Sequence, residues 1–179
     1  EYNELAKTFM NAIGREIPAL AATTKKTTDN IYAYELRIND TRFISKLFGL
    51  PFTINSPSRI SGGCNDITGN FNLNAELNNA TLMGMEFPEA KIKGIINKEG
   101  ITLNTDAKNR SYNKKGTPQE SISETWVNLR TFTSRGQTSS TISWNSCENS
   151  SGEHGTLSID AALGRDKNRN LTLNAKINP

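Results

Sequence analysis

In the run NFNLNAEL, residues 70–77, apolar and polar side chains alternate without a break. Phe71, Leu73, Ala75 and Leu77 stand against Asn70, Asn72, Asn74 and Glu76. Successive side chains of a strand point to opposite faces, so such a run has one apolar and one solvated face. A helix would scatter the same residues around its circumference. The pattern returns in ITLNTDA through Ile101, Leu103 and Ala107, and in GTLSIDAAL through Leu157, Ile159, Ala161 and Leu163. It returns again in NLTLNAKI through Leu171, Leu173, Ala175 and Ile177. IYAYELRI places Tyr32, Tyr34, Leu36 and Ile38 on one face, and ATLMGMEF, AKIKGII, ETWVNLRTF and STISWN are weaker copies. The turn-like segments NN, PE, NKEG, SCENSSGEHG and GRDKNRN separate the runs. Short connections join antiparallel neighbours, so the expectation is a meander.

Two places read as helix. Leu5, Phe9, Ile13 and Ile17 fall four apart, with Met10 and Leu20 on the same face, and Gly14 and Pro18 interrupt the pattern. The spacing predicts a helix ending near Gly14 to Glu16 and a short restart at Pro18. Asp40 is placed to cap a second helix carrying Phe43, Ile44, Leu47 and Phe48, which Gly49 and Pro51 would end. PFTI and SRISG then read as short strands joined by a turn at Asn55 to Pro57, with Ser61 to Gly63 a bulge or turn. Lys108 to Ser121 shows no period and reads as a mobile loop. The domain boundary falls at residue 30: a helical segment over 1–30 and a sheet region over 31–179. The start at Glu1 and the stop at Pro179, straight after a strand-like run, both read as cuts within a longer chain.

Little in the sequence offers chemistry. His154, the single histidine, sits in a turn-like segment, and Asp66, Asp106, Asp160 and Asp166 have no spacing that selects a pair. No nucleophile elbow, zinc-protease, phosphate-loop or calcium-loop motif occurs, so the expectation is a non-enzyme without cofactor or metal. Trp126 and Trp144 are candidates for a sugar-stacking platform, although Trp144 shares a face with Ile142. The net charge of +3 is spread along the chain with no basic stretch interleaved with aromatics, which argues against nucleic acid. Cys64 and Cys147 read either as two thiols or as one disulfide across neighbouring strands.

The apolar face is the most informative feature. About nine strands at ~4.8 Å spacing make a sheet roughly 40 Å long, and two or three helices ~10 Å across cannot cover it. Either the helices close it into an ordinary core, or part of it stays open to something apolar. The expected lining is Phe71, Leu73, Leu77, Ile101, Leu103, Ile142, Trp144, Leu157, Ile159, Leu171, Leu173 and Ile177.

The stretch RFISKLFGLPFTINSPSRISGGCNDITGNFNLNAELNNATLMGMEF runs from a short apolar helix to a strand pair, a glycine-marked turn and further strands. With the later STISWNSCENSSGEHGTLSIDAALGRDKNRNLTLNAKINP, it resembles the TamB branch of the AsmA-like proteins in an Asn-rich, Bacteroidetes style. The resemblance covers residue 31 to the end. It implies a mainly β fold, a curved antiparallel sheet, taco-like with one apolar concave face, beside the N-terminal helix and a short helix near 41–48. It also implies a parent anchored in the inner membrane of a Gram-negative bacterium and crossing the periplasm. The implied work is phospholipid transport and outer-membrane protein assembly, with phospholipid or another apolar ligand in the groove. A BamA-like outer-membrane barrel is the implied partner of the parent chain. The rival expectation is a secreted or surface β-sandwich that recognises glycan or protein, and a hydrolase ranks last.

Overall fold

The computed structural model describes residues 2–20, 31–113, 121–147, 154–167 and 171–178. Helix α1 (Tyr2–Glu16) ends at the expected place and a single 3-10 turn, Pro18–Leu20, follows Ile17. Strand β1 (Ile31–Ile38) leads to helix α2 (Arg42–Phe48) and to β2 (Phe52–Ile54) and β3 (Ser58–Asn65). The long strands are β4 (Asn70–Leu82), β5 (Met85–Ile96), β6 (Ile101–Asn113) and β7 (Ser121–Ser134). They continue as β8 (Gln137–Ser146), β9 (His154–Arg165) and β10 (Leu171–Asn178). All pair antiparallel in one open sheet of order β1-β3-β4-β5-β6-β7-β8-β9-β10, and β2 pairs with the far end of β4. The fold is therefore the curved antiparallel meander with short helices that the alternation predicts.

The register puts the apolar residues of every strand in line. One row runs Leu36, Ile60, Ala75, Ile92, Thr105, Leu129, Ile142 and Leu157. A second runs Tyr32, Cys64, Phe71, Ile96, Ile101, Thr133, Thr138, Ala161 and Ala175. Directly opposed residues of an antiparallel pair share a face, so these rows are one continuous surface.

Several local expectations are corrected. Asn78–Asn79 and Pro88–Glu89 are not turns, because β4 and β5 run straight through them and turn at Met83–Gly84. Asn79 adopts φ 48° and faces Pro88, which has no N–H to donate, so the ladder skips from Asn78–Glu89 to Ala80–Phe87. The positive φ of Asn79 shifts the phase of alternation by one without changing the β4–β5 register. Beyond it Ala80, Leu82 and Phe87 join the face that Leu77 and Ala90 occupy before it. Asn78 and Asn79 also stitch the β2–β3 connection to β4: Asn78 Nδ2 donates to Pro57 O at 2.7 Å and Asn79 Nδ2 to Ser56 Oγ at 2.6 Å.

Residues Ser61 to Gly63 lie within β3 and form no turn. A Cβ at Gly62 would collide with the Tyr34 phenol and the Asn72 carbonyl oxygen, so glycine lets Tyr34 lie across its neighbour and donate to Asn72 O at 3.1 Å. Residues 108–113 belong to β6 and are not loop, while 114–120 fall outside the described residues. What holds this stretch is cross-strand charge: Glu124 takes Lys108 and, at 2.8 Å, Arg110. Asp40 accepts the Arg42 N–H at 2.8 Å, but the N-cap residue of α2 is Thr41, whose hydroxyl accepts Ile54 N–H at 2.8 Å. Gly49 ends α2 in the left-handed region at φ 62°, as expected.

Helix α1 lies along one rim of the sheet, across its hairpin turns. Arg15 donates to Gly69 O at 3.3 Å and to Asn97 O, joining the β3–β4 turn to the β5–β6 turn. Gly136, in the β7–β8 turn, donates its N–H to Glu16 O at 2.6 Å. At this rim Thr8, Ala12, Glu16 and Ala19 of the helical segment are buried, as are Cys64, Ile96 and Thr133 of the second row.

Candidate functional site

All twelve residues expected to line the apolar face do share one face, by register. They are not equally covered. Phe71 and Ile101 lie in the row nearest α1, whereas Leu171, Leu173 and Ile177 on β10 are exposed, Leu173 at 67%. Among the described residues no large side chain is fully sealed. Among the described residues the face is an open trough with one covered rim, and nothing seals it as a closed core.

The trough deepens over β2 to β6 into a hollow of about 370 Å³. Leu73 and Leu77 line it, as the alternation predicts. So do Phe52, Ile54, Ile60, Leu82, Phe87 and Ile92, which sequence reasoning left out of the lining. Ile60 and Ile92 carry a period-two signal in SRISG and AKIKGII that was there to be used. Phe87 and Leu82 do not, because the phase slip at Asn79 places them on the trough face in the wrong register of a simple alternation. Gly62 and Gly94 flank Leu73 on either side; Gly94 leaves the face low beside it, whereas the Tyr34 phenol lies over Gly62.

Towards α1 the face changes character between β7 and β8. Thr131 and Ser140 share a hydrogen bond at 3.0 Å, and Thr133 and Thr138 one at 2.9 Å. Each hydroxyl pair satisfies itself, so the surface stays low in free polarity without being hydrocarbon. Leu129 and Val127, opposite Ile142 and Trp144, carry the apolar face through the same strands farther from α1.

Helix α2 does not cover the trough. Phe43, Ile44, Leu47 and Phe48 are exposed, and the helix packs mainly along β2, with Ser45 buried.

The titratable groups are dispersed. Asp106 pairs with Arg130 at 2.9 Å on the polar face, Asp160 is exposed on β9, and Asp66 lies in the β3–β4 turn. Asp166 stands beyond the end of β9. Among the described residues no three His, Cys, Asp or Glu side chains gather as a metal ion would need. His154 opens β9 and does not sit in a turn. Trp126 opposes Asn145 and Trp144 opposes Val127, so the two indoles belong to opposite faces and do not form one platform, although a hollow of about 270 Å³ at the strand ends touches both. Cys64 and Cys147 are free. Strands β4 to β7 separate β3 from β8, about 24 Å at ~4.8 Å per strand, so a disulfide across neighbouring strands is ruled out by register. Burial, with Asp66 nearby, pushes the Cys64 thiol up, away from the reactive thiolate.

What such a surface does chemically is exclude water from something apolar laid along it. Each methylene transferred onto it from water contributes up to ~0.8 kcal/mol. No protein-family model, curated protein or solved structure matches the chain.

Proposed function

We propose that this chain is a non-enzymatic segment of a TamB-like, AsmA-related envelope protein, whose trough carries the acyl chains of phospholipid. One observation supports this above the others: a continuous apolar face, in register across the whole sheet, is left unsealed and hollowed to about 370 Å³. Leaving large apolar side chains wet forgoes roughly 1.5–3 kcal/mol each, so the surface calls for an apolar occupant. On this reading the parent spans the periplasm from an inner-membrane anchor, and a BamA-like barrel in the outer membrane is its partner. The headgroup stays in water at the open rim while the chains lie on the face. The rival reading, a β-sandwich that binds glycan or protein, needs a second sheet packed on the apolar face, and the described residues form one sheet.

The test is native mass spectrometry of the chain purified gently from a lipid-containing host. Phospholipid should co-purify and be lost when Leu173, exposed on β10, is replaced by Asp in a protein that remains folded. A lipid-free monomer that also fails to bind a fluorescent apolar probe would sink the proposal.

A further inference from the structure

On β7 the face turned away from the trough carries Glu124, Asn128 and Arg130, and among them Trp126, 45% exposed. A tryptophan left this open on a polar face forgoes the burial of one of the largest apolar surfaces a side chain has. Its neighbours give that exposure a use. By register Trp126 stands opposite Asn145, and Asn145 opposite His154. One step along, Asn128 stands opposite Ser143, and Ser143 opposite Thr156. These side chains border a hollow of about 270 Å³. Ser143 and Thr156 are short, so the surface beside the indole is recessed.

Most of the polar groups around the hollow are uncommitted. Asn128 Nδ2 donates to Asp106 Oδ1, but the side chains of Ser143, Asn145, His154 and Thr156 make no hydrogen bond or ion pair among the described residues. Together they offer amide, hydroxyl and imidazole groups that both donate and accept. With His154 neutral, no residue of the lining carries a charge. The charges nearby are already matched. Lys108, directly opposite Trp126 on β6, is held by Glu124 together with Arg110, and Arg130 pairs with Asp106 at 2.9 Å.

That combination selects among the ligands that stack on an indole. A nucleotide or an acidic peptide would bring an anionic group, and the cations near the hollow are already paired. A protein partner would need further apolar anchors, and Ser and Thr are scarce among the residues that carry such interfaces. A pyranose ring matches both parts of the site: one face of C–H bonds to lie on the indole, and a rim of neutral hydroxyls that donate and accept. At ~30 Å³ for each water-sized group, a hollow of about 270 Å³ holds about nine, which is room for one ring.

We propose that this hollow binds a neutral saccharide, with Trp126 stacked on one pyranose ring and Ser143, Asn145, His154 and Thr156 taking its hydroxyls. The site lies on the opposite face of the sheet from the trough and does not depend on the lipid-carrying reading.

Saturation-transfer NMR and titration calorimetry test it, with cellobiose and N,N′-diacetylchitobiose as probes and adenosine as a stacking control. At least one disaccharide should bind in the millimolar range, with transfer strongest at its ring C–H protons, and adenosine should not displace it. Trp126→Ala should weaken binding about tenfold, the size of one aromatic contact, and Trp126→Phe should weaken it less. Asn145→Leu, which keeps the indole and removes an amide, should weaken it severalfold. Both positions are exposed, so the far-UV circular dichroism and Tm of these variants should match those of the parent chain. Failure of both disaccharides to bind would overturn the proposal, as would unaltered binding by the folded Trp126→Ala or Asn145→Leu variant. Displacement of the sugar by adenosine would overturn it too, since the indole would then stack on any flat ring.

Discussion

Two glycines in the same trough row should respond to alanine with opposite signs. Gly62 and Gly94 flank Leu73 on neighbouring strands, and neither requires positive φ. A Cβ at Gly94 would rest 3.5 Å from Leu73 Cβ, 3.8 Å from Leu73 Cδ2 and 3.9 Å from Leu103 Cδ1, which is ordinary van der Waals contact. The half-covered methyl contributes about 0.4 kcal/mol, half of the ~0.8 for a buried methylene. The stiffer unfolded chain adds ~0.4–1 kcal/mol. Gly94→Ala should therefore stabilise by about 1 kcal/mol, or a Tm rise of about 2–4 °C for a chain of this length. At Gly62 the same methyl meets the Asn72 carbonyl oxygen and the Tyr34 ring. Relieving that contact costs ~1–3 kcal/mol, and losing the Tyr34 hydroxyl bond to Asn72 O adds ~0.5–1.5 kcal/mol. Tyr34 would also leave its stack on Phe71, centroids 6.2 Å apart. Gly62→Ala should lose about 3 kcal/mol. Urea unfolding followed by far-UV circular dichroism measures both. A neutral Gly62→Ala, or a Gly94→Ala that destabilises by about 1 kcal/mol, would show that this register of the trough floor is wrong.

Further outcomes follow from the same geometry. Leu157→Asp, on a half-covered position opposite Ile142, should cost about 1–2 kcal/mol and abolish lipid co-purification; a loss of ~3–5 kcal/mol in urea unfolding would instead mark a sealed core. Arg15→Ala should loosen the α1 rim by about 2 kcal/mol, because buried Glu16 loses the partner at 2.7 Å and two turn carbonyls lose a donor. Faster amide exchange at Gly136 would report it, and unchanged exchange would count against the rim contact. Lys108 and Arg110 hold the Glu124 carboxyl below its ordinary value of 4.5. Its contribution is thus present above the unfolded pKa and fades as pH falls through the lower folded one. The stability difference between the parent chain and Glu124→Gln should therefore shrink on acidification below about pH 4.5, and a difference that grew would refute the pairing.

The sheet was legible where alternation ran unbroken. NFNLNAEL, ITLNTDA and NLTLNAKI each place their residues on the observed face, because a period of two has no other economical reading. It failed where local chemistry mimics a turn. Asn78–Asn79 carries the composition of a hairpin loop, and Pro88 that of a strand end, yet Asn79 and Pro88 stand opposite each other as one unpaired position in an otherwise unbroken ladder. Only the pairing explains this: the residue without an N–H sits opposite the one position of β4 that the ladder leaves unpaired. The true turn, Met83–Gly84, was masked by an apolar residue at a position where Asn is usual. Lys108 to Asn113 was misread for the opposite reason, since its strand is held by charge pairs with β7, and an apolar period cannot report those. The inverted α2 shows the limit of reading amphipathicity alone. The stripe of Phe43, Ile44, Leu47 and Phe48 is plain in sequence, but which side meets the sheet depends on the hydroxyl of Thr41 finding Ile54.

In a trough of this kind the lining and the fold use the same side chains, so a polar substitution is informative only where coverage is known. Ile96 is 3% exposed and Cys64 4%, both in the row next to α1, and a charge there would unfold the rim before it reported on any ligand. Leu173 and Met83 lie at the other extreme, and a charge there removes apolar surface while disturbing few neighbours. Half-covered positions such as Leu73 and Leu157 fall between, where a loss of about 1–2 kcal/mol leaves a domain of ordinary stability folded. Exposure along each strand thus sorts the substitutions into those that test folding and those that test carriage. If carriage were lost only with variants at the covered rim, and survived those at Leu173 and Leu157, the open face would not be the carrier.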